Sequence, residues 1–238
     1  MIQLSVVIPA YNEGRRIDST IEAIKQFLIQ KRWEYEIIVV NDGSSDDTPA
    51  VVERSFGGFG ERCQLLSNAT NRGKGYSVKR GMLGAKGEYV LFTDADLSTP
   101  IAEAEKLLEP LKNGFDLAIG SRALRESKVE IHQNWVREAM GKIFNCFARL
   151  LTFKGIYDSQ CGFKCFKREA AQKLFSMQKI DGFTFDAEII YLAQKLGYRI
   201  KEVPVIWRNS PSSKVRIFSD PLKMFLDLTR IRMLHFRR

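Results

Sequence analysis

The chain has 238 residues, 45% of them hydrophobic and 27% charged, which is the composition of a folded protein with one sizeable core. It contains no run of about 18 uncharged apolar residues and no basic leader, which argues against a spanning helix and a signal peptide. Its formal charge of +9 is concentrated at residues 199–238, where ten Lys or Arg stand against three acids, and this indicates an anionic partner: nucleic acid, an acidic membrane surface or phosphorylated substrates.

Strand-like and helix-like segments alternate through the first half of the chain. Apolar runs predict strands, and apolar residues at helical spacing predict the helices between them. This alternation favours parallel strands joined by right-handed crossovers, and therefore a doubly wound α/β domain over roughly residues 1–120. The predicted strands are 4–9, 36–40, 64–66, 88–93 and 116–120, and the predicted helices are 17–28, 75–85 and 102–112.

The second half has a different pattern. Residues 136–151 carry a broad apolar stripe with basic residues interleaved, which is usual for a core helix and also fits a membrane interface. Residues 161–166 and 198–206 resemble strands, and 168–175 and 185–195 resemble helices.

The basic tail comprises residues 218–238, and the pattern of residues 221–238 predicts an amphipathic helix. Such a helix either lies in a membrane interface or packs its apolar face on the domain. In the first case the residues entering the acyl boundary would be Met224, Phe225, Leu228 and Ile231.

The cysteines and histidines predict no metal site. Cys161 and Cys165 are three residues apart, but no second pair lies nearby to complete a tetrahedral set. Free thiols of a cytosolic protein are therefore expected. His132 and His235 are expected at the surface.

Two carboxylates follow the predicted strand at 88–93. Asp94 and Asp96 are two residues apart, so in extended chain both reach the same side of the strand. Two neighbouring carboxylates repel unless a cation lies between them, and Mg²⁺ or Mn²⁺ shared with a substrate diphosphate meets that need. Asp-x-Asp alone is a weak motif, but ligands of open α/β sheets bind at the carboxyl ends of strands.

Polar loops follow the other predicted strands as well. Tyr11 offers a ring to pack beside a base, Glu13 a carboxylate for ribose hydroxyls, and Asp42 an acceptor for a base N–H. Lys74 stands in a Gly-Lys-Gly turn at a helix start, which is suited to anions although it lacks the full Walker spacing. Together these loops favour a nucleotide crevice.

These segments resemble the family 2 inverting glycosyltransferases of the GT-A fold. The second half is similar to the polyprenyl (dolichyl) phosphate sugar transferases, most of all to those that transfer glucose, with the mannosyltransferases as near relatives. The resemblance covers nearly the whole chain and implies a mostly parallel sheet flanked by helices. Its segments are VVIPAYNE (6–13), VVNDGSSD (39–46), NRGKG (71–75), TDAD (93–96), GSR (120–122), DSQCGFK (158–164), FDAE (185–188) and EVPV (202–205).

The resemblance also implies roles for particular residues. Asp42 would contact the base, Lys74 would lie near the base or the diphosphate, and Asp94 with Asp96 would bind the sugar nucleotide through Mg²⁺ or Mn²⁺. Ser98 or a water would complete the metal shell, since Leu97-Ser98 replaces the usual continuation. The nucleoside pocket would be lined by Pro9, Tyr11 and Glu13.

An acceptor phosphate requires cations of its own. Guanidinium groups match phosphate oxygens and stay charged, so Arg122 and Arg137 are the candidates, with Gln160 beside them. Lys214 and Arg216 are expected to close over the donor diphosphate and stabilise the leaving group. The Gln-x-x-Arg-Trp motif of polysaccharide synthases is absent, which argues against a processive polymerase.

The resulting hypothesis is an enzyme that moves a hexose to a polyprenyl or dolichyl phosphate, with UDP-glucose as donor and GDP-mannose as the alternative. Residues 1–120 would bind the nucleotide sugar, 121–217 the acceptor, and the tail a membrane surface on its cytoplasmic side. Two other classes stay open: a basic nucleic-acid-binding protein, although no standard motif of that class occurs, and a silent module that binds lipid phosphate or nucleotide sugar.

Overall fold

The computed structural model describes residues 2–57, 60–132, 135–210 and 219–236, without the side chains of residues 61, 137 and 219–222. The strands are β1 (Leu4–Ala10), β2 (Tyr35–Asn41), β3 (Cys63–Ser67), β4 (Tyr89–Thr93), β5 (Leu117–Ser121), β6 (Lys128–Ile131), β7 (Phe163–Lys167), β8 (Ile200–Pro204) and β9 (Ile206–Arg208). The α-helices are α1 (Ile17–Gln30), α2 (Thr48–Phe56), α3 (Lys74–Gly84), α4 (Ala104–Lys112), α5 (Trp135–Leu151), α6 (Arg168–Met177), α7 (Phe185–Lys195) and α8 (Ser219–Leu234).

Seven strands form one sheet in the order β3-β2-β1-β4-β7-β5-β8, and β6 pairs with β9 beside it. All neighbours in the large sheet are parallel except those of β7, so the prediction of a mostly parallel α/β sheet is confirmed. The helices cover both faces: α1, α2 and α4 lie on one, and α3, α5, α6, α7 and α8 on the other.

The antiparallel strand β7 joins the two halves of the chain. It comes from the second half but lies between β4 and β5 of the first, with Lys164 directly opposite Phe92. Because it runs antiparallel, its first residues lie at the edge where its parallel neighbours end. The loop before β7 is therefore placed beside Asp94.

The apolar stripe of α5 is only partly covered: Phe144 and Leu151 pack against the core, and most of its other residues are exposed. Within α5 the buried residues of known exposure are only Asn145 and Ala148, while Ile143 is 56% and Leu150 72% exposed. No helix in the described ranges combines the length and the hydropathy needed to cross a membrane.

The tail helix α8 packs on α5 and α7, which corrects part of its predicted membrane face. Leu228 and Ile231 are fully buried and belong to the core, so they cannot enter a bilayer. Helical periodicity turns Phe225, Leu226 and Met233 outward. His235 is also buried, contrary to expectation, because its Nε2 lies 2.6 Å from Oε1 of Glu188 on α7; His132 is exposed as predicted.

Candidate active site

The predicted nucleotide loops meet at one edge of the sheet. Strands β1, β2 and β4 are parallel neighbours, so the residues after each of them lie side by side. Lys74, at the start of α3, extends to this edge from the face covered by the helix. The structure thus brings Tyr11, Asp42 and Asp94 to neighbouring strand ends.

Asp94 is paired with a cation of the protein. The Nζ atom of Lys74 lies 2.6 Å from Oδ1 of Asp94, and both side chains are partly exposed. Burial lowers the pKa of Lys74, but the charges of Asp94, Asp186 and Asp96 outweigh it and raise the pKa overall. Lys74 therefore stays positively charged beside the acid pair.

Gly162, in the loop before β7, makes close contact with Asp94. The backbone N–H of Asp94 donates to the Gly162 carbonyl at 3.1 Å. A Cβ atom at Gly162 would lie 1.9 Å from Oδ2 of Asp94, so only glycine leaves room for the carboxylate in this position. This close approach explains the glycine of the DSQCGFK segment in steric terms.

Asp96, the second acid of the pair, is fixed by a hydrogen bond within its own loop. Asp96 Oδ1 accepts the Ser98 backbone N–H at 3.0 Å, and its Oδ2 lies 4.0 Å from Nη1 of Arg16. Arg16 forms a forked pair with Glu13, which is buried. Glu13, expected to face ribose hydroxyls, is therefore bound to Arg16, a residue that sequence reasoning missed because no motif marks it.

The donor set at the acid pair fits a hard divalent cation. Asp94 and Asp96 offer carboxylate oxygens, the ligands that Mg²⁺ and Mn²⁺ prefer. Within the described part of the chain no cluster of three or more Asp, Glu, His or Cys residues is placed to hold a metal. Two protein carboxylates alone would leave coordination positions for substrate oxygens or water.

Asp42 is buried and its carboxylate is already in use. Its Oδ1 accepts from Asn68 Nδ2 at 2.7 Å and from the Arg72 backbone N–H at 2.9 Å, and its Oδ2 accepts the Gly73 N–H at 2.8 Å. These bonds fix the loop before Lys74. The contact of Asp42 to a base stays a prediction. Tyr11, at 37% exposed, and the half-buried Pro9 line the same edge.

Arg122 follows β5 and is bound to Asp158. Its Nε and Nη2 donate to the two carboxylate oxygens of Asp158 at 2.7 and 2.8 Å, and its guanidinium lies 5.3 Å from the Trp207 ring centre. Burial alone would raise the pKa of Asp158, but Arg122 outweighs it and lowers the pKa to about 2. The sequence predicted Arg122 but not the carboxylate that orients it.

The Asp158 loop links this arginine to α5. Gln160 donates its backbone N–H to Asp158 Oδ1 at 3.2 Å, and the Ser159 hydroxyl donates to Oδ1 of Asn145 on α5 at 2.7 Å. The predicted acceptor residues Arg122 and Gln160 are thus brought together. Arg137 lies in the first turn of α5 with its side chain outside the described part, and Lys214 and Arg216 lie outside the described residues.

A second pair, fully buried, lies near Lys74, and both lysines approach the ring of Phe92. Lys164 on β7 is 1% exposed and its Nζ lies 2.5 Å from Oδ1 of Asp186, which is 3% exposed. The same Nζ donates to the Cys161 carbonyl at 2.6 Å. The FDAE and DSQCGFK segments contain these residues, but sequence spacing does not reveal that they meet.

Known proteins are similar to this chain in sequence. The sequence model of "Glycosyl transferase family 2" matches residues 5–175. Two relatives named dolichyl-phosphate beta-glucosyltransferase are similar over 97% of this chain: that of Dictyostelium discoideum at 38% identity, with 74% of its length covered, and that of Homo sapiens at 37%, with 75% covered.

A solved structure is also similar. Glucosyl-3-phosphoglycerate synthase from Mycobacterium tuberculosis, in complex with Mn²⁺ and UDP-glucose, superposes with a TM-score of 0.71 at 21% identity over 98% of this chain and 78% of its own, which shows a shared fold. From the family match and the full-length similarity to the named relatives, this chain belongs to glycosyl transferase family 2, in the group of the dolichyl-phosphate beta-glucosyltransferases.

Proposed function

We propose that this protein transfers glucose from UDP-glucose to a polyprenyl or dolichyl phosphate, with inversion at the anomeric carbon. The observation that carries the proposal is the convergence of Asp94, Asp96 and Lys74 at one strand edge, with Arg122 at the end of a strand two places away. The names of the full-length relatives support the acceptor and the sugar, and the UDP-glucose complex of a protein with the same fold supports the donor.

The chemistry needs no general base. A phosphate monoester has a second pKa of about 6, so most of the acceptor is a dianion at neutral pH. One of its oxygens forms the new bond to the anomeric carbon while the bond from that carbon to the β-phosphate oxygen breaks. The electron pair leaves with UDP, and no proton is transferred.

Catalysis then rests on neutralising and aligning two anions. Lys74 is a charged donor beside the acid pair, suited to the leaving diphosphate. Arg122, fixed by Asp158, is suited to the acceptor phosphate, and we assign the same partner to Arg137. A divalent ion held by Asp94 and Asp96 would add positive charge at the diphosphate.

The exposed apolar residues of α5 and α8 form a surface, here called the α5–α8 face, that fits a lipid bilayer. The two helices pack together, and the rings of Phe147 and Phe225 meet edge to face at 5.1 Å. The exposed basic residues Lys142, Arg230 and Arg232 accompany them, a combination that favours anionic headgroups. The face consists of Trp135, Val136, Ile143, Phe147, Leu150, Phe225, Leu226 and Met233, together with Phe236 two residues after α8.

A membrane position for this face is consistent with the proposed acceptor. Through Asn145, α5 holds the loop of Asp158 and Gln160, so the bilayer-facing helix also supports the predicted acceptor residues. We propose peripheral binding on the cytoplasmic side, by which a lipid phosphate enters the site while its chain stays in the bilayer.

A transfer assay tests the proposed function. Purified protein is offered radiolabelled UDP-glucose or GDP-mannose, with a short polyprenyl phosphate and Mn²⁺, and lipid-linked label is measured against an Asp96→Asn control. We expect label from UDP-glucose that depends on the acceptor. Label from GDP-mannose alone would reassign the sugar, and release of free glucose without lipid product would overturn the acceptor.

A further inference from the structure

The buried lysine in the centre of the sheet is costly and invites explanation. Lys164 stands on β7 between Phe92 of β4 and Ile119 of β5, and lysine is almost never fully buried unless it is paired. Its pair with Asp186 is weak evidence for stability, since buried ion pairs are often replaceable by apolar residues without loss. A role other than stability is therefore needed to explain why this pair is buried here.

The pair lies near Lys74, because both lysines approach the same aromatic ring. The Nζ atoms of Lys164 and Lys74 are 5.3 and 5.6 Å from the centre of the same Phe92 ring. Phe185, the residue before Asp186, packs on that ring at 5.8 Å and so fixes the first turn of α7 against β4. Burial lowers the pKa of Lys74, whereas the negative charges of Asp94 and of Asp186 raise it.

We propose that Asp186 is a positioning residue for the donor diphosphate: it keeps the Lys74 ammonium at the acid pair when a divalent cation occupies Asp94, and Lys164 holds Asp186 in place. This inference rests on the proposed function. In the structure Lys74 bonds to Asp94. A cation bound to Asp94 competes for that carboxylate and repels Lys74, so a second negative charge is needed to keep the lysine there.

The charges of the cluster agree with this role. Asp94, Asp96 and Asp186 carry three negative charges against the two positive charges of Lys74 and Lys164. A divalent cation turns the excess of one negative charge into an excess of one positive charge, and without Asp186 that excess would be two, which would increase the repulsion between the cation and Lys74. Without Asp186 the same cation would face an uncompensated lysine.

Binding of UDP with and without Mn²⁺, measured by calorimetry, tests the inference. Asp186→Asn should weaken UDP binding about tenfold in Mn²⁺, the loss of one charge-assisted contact. Without metal, where Asp94 still holds Lys74, it should change binding less than about threefold by the same reasoning. In a Lys74→Met background the effect of Asp186→Asn should vanish, because Asp186 acts through Lys74.

Glu188→Gln is the matched control. Glu188 lies two residues further on α7, is equally buried, and is bonded to His235, so this exchange removes a carboxylate charge from the same helix without touching Lys74. It is expected to leave metal-dependent UDP binding unchanged. An equal loss in Glu188→Gln, or an equal effect of Asp186→Asn with and without Lys74, would overturn the positioning role.

A paired variant guards against misfolding. Lys164→Met/Asp186→Leu removes both charges together, which buried pairs often tolerate, and it should show the same metal-dependent loss. If it binds UDP in Mn²⁺ as tightly as the wild type does, the inference is wrong while the proposed function stands. A wild-type protein that binds no UDP in Mn²⁺ would overturn both.

Discussion

The Nζ atom of Lys74 lies 2.6 Å from Oδ1 of Asp94, so the first carboxylate of the acid pair already holds a cation of the protein. Asp96 lacks such a close partner: its shortest ion pair in the described ranges is the 4.0 Å approach of Arg16. To bind a divalent ion, Asp94 must therefore weaken its ion pair with Lys74, whereas Asp96 has no ion pair as short to lose. Asp96 is the more available ligand.

Asp94→Asn and Asp96→Asn should each lower glucosyl transfer by about a hundredfold or more, the usual cost of losing electrostatic stabilisation at a leaving group. Melting temperatures should change little, because Asp94 is a third exposed and Asp96 about a fifth. EDTA should abolish wild-type transfer, and added Mn²⁺ or Mg²⁺ should restore it. Full activity of both variants in metal-free buffer would contradict the metal-assisted mechanism.

Gly162→Ala should displace the Asp94 carboxylate without replacing either residue of the acid pair. The new Cβ would lie 1.9 Å from Oδ2 of Asp94, and the displaced carboxylate should lower kcat by about a hundredfold, as a misplacement near 1 Å can. Gly84→Ala is the control, since a Cβ there meets no atom within 4 Å. Wild-type kinetics in Gly162→Ala would show that the position of Asp94 is not critical.

Arg122→Lys should weaken the acceptor rather than the donor. Lysine keeps the charge but lacks the fork that Asp158 holds, so the KM for the lipid phosphate should rise about tenfold to a hundredfold while the KM for UDP-glucose stays near the wild-type value. Arg137→Ala should act in the same direction.

We choose Arg122→Lys over Arg122→Ala because alanine would leave Asp158 buried without its cation and destabilise the fold. Arg168→Lys, at a guanidinium that donates to the Lys86 carbonyl, is the matched control and should leave both KM values unchanged. Acceptor kinetics that are unaltered in both Arg122→Lys and Arg137→Ala would contradict the assignment.

The strand-end residues could be predicted because their signals are local. An apolar run that ends in Asp94 and a Gly-Lys-Gly turn before a helix need only short-range geometry. The contacts of Lys164 with Phe92 and Asp186 could not be predicted from the sequence, because they depend on β7 entering the sheet between β4 and β5. Strand order is set by long-range packing that no local pattern encodes.

The helices show a second limit. A helical apolar stripe indicates that one face of the helix is shielded from water, but it does not indicate whether protein or lipid covers that face. In α8 the buried Leu228 and Ile231 face the protein, whereas Ile143 and Leu150 of the α5 stripe stay exposed. Only the packed structure separates the two cases.

Acid should weaken the fold through Asp158. Arg122 lowers the folded pKa of Asp158 from 3.8 to about 2, so the ionised form stabilises the native state above about pH 4, and this contribution is lost as the pH falls through about 2. Urea unfolding of the wild type and Asp158→Asn should show the wild-type advantage shrinking by on the order of 2 kcal/mol over this range. A difference that does not change with pH would contradict the coupling.

Acidic substitutions on the exposed side of α8 test the proposed membrane contact. Leu226→Glu/Met233→Glu places two acids on exposed positions of α8, so it should abolish flotation with anionic vesicles and lower transfer to long-chain lipid. Turnover of a short soluble acceptor and the melting temperature should be retained. Wild-type flotation should weaken as salt rises, because headgroup attraction is screened beyond about 10 Å at 0.1 M salt.

Truncation after Ser219 would not separate the alternatives, because it removes the buried Leu228, Ile231 and His235 and should therefore unfold the protein. Ile29→Glu/Leu83→Glu is the better control: both residues are exposed and apolar, and they lie on α1 and α3, which do not contribute to the α5–α8 face. This control should float as the wild type does. If Leu226→Glu/Met233→Glu also floats undiminished, α8 does not contact the bilayer and its packing on α5 and α7 is its whole role.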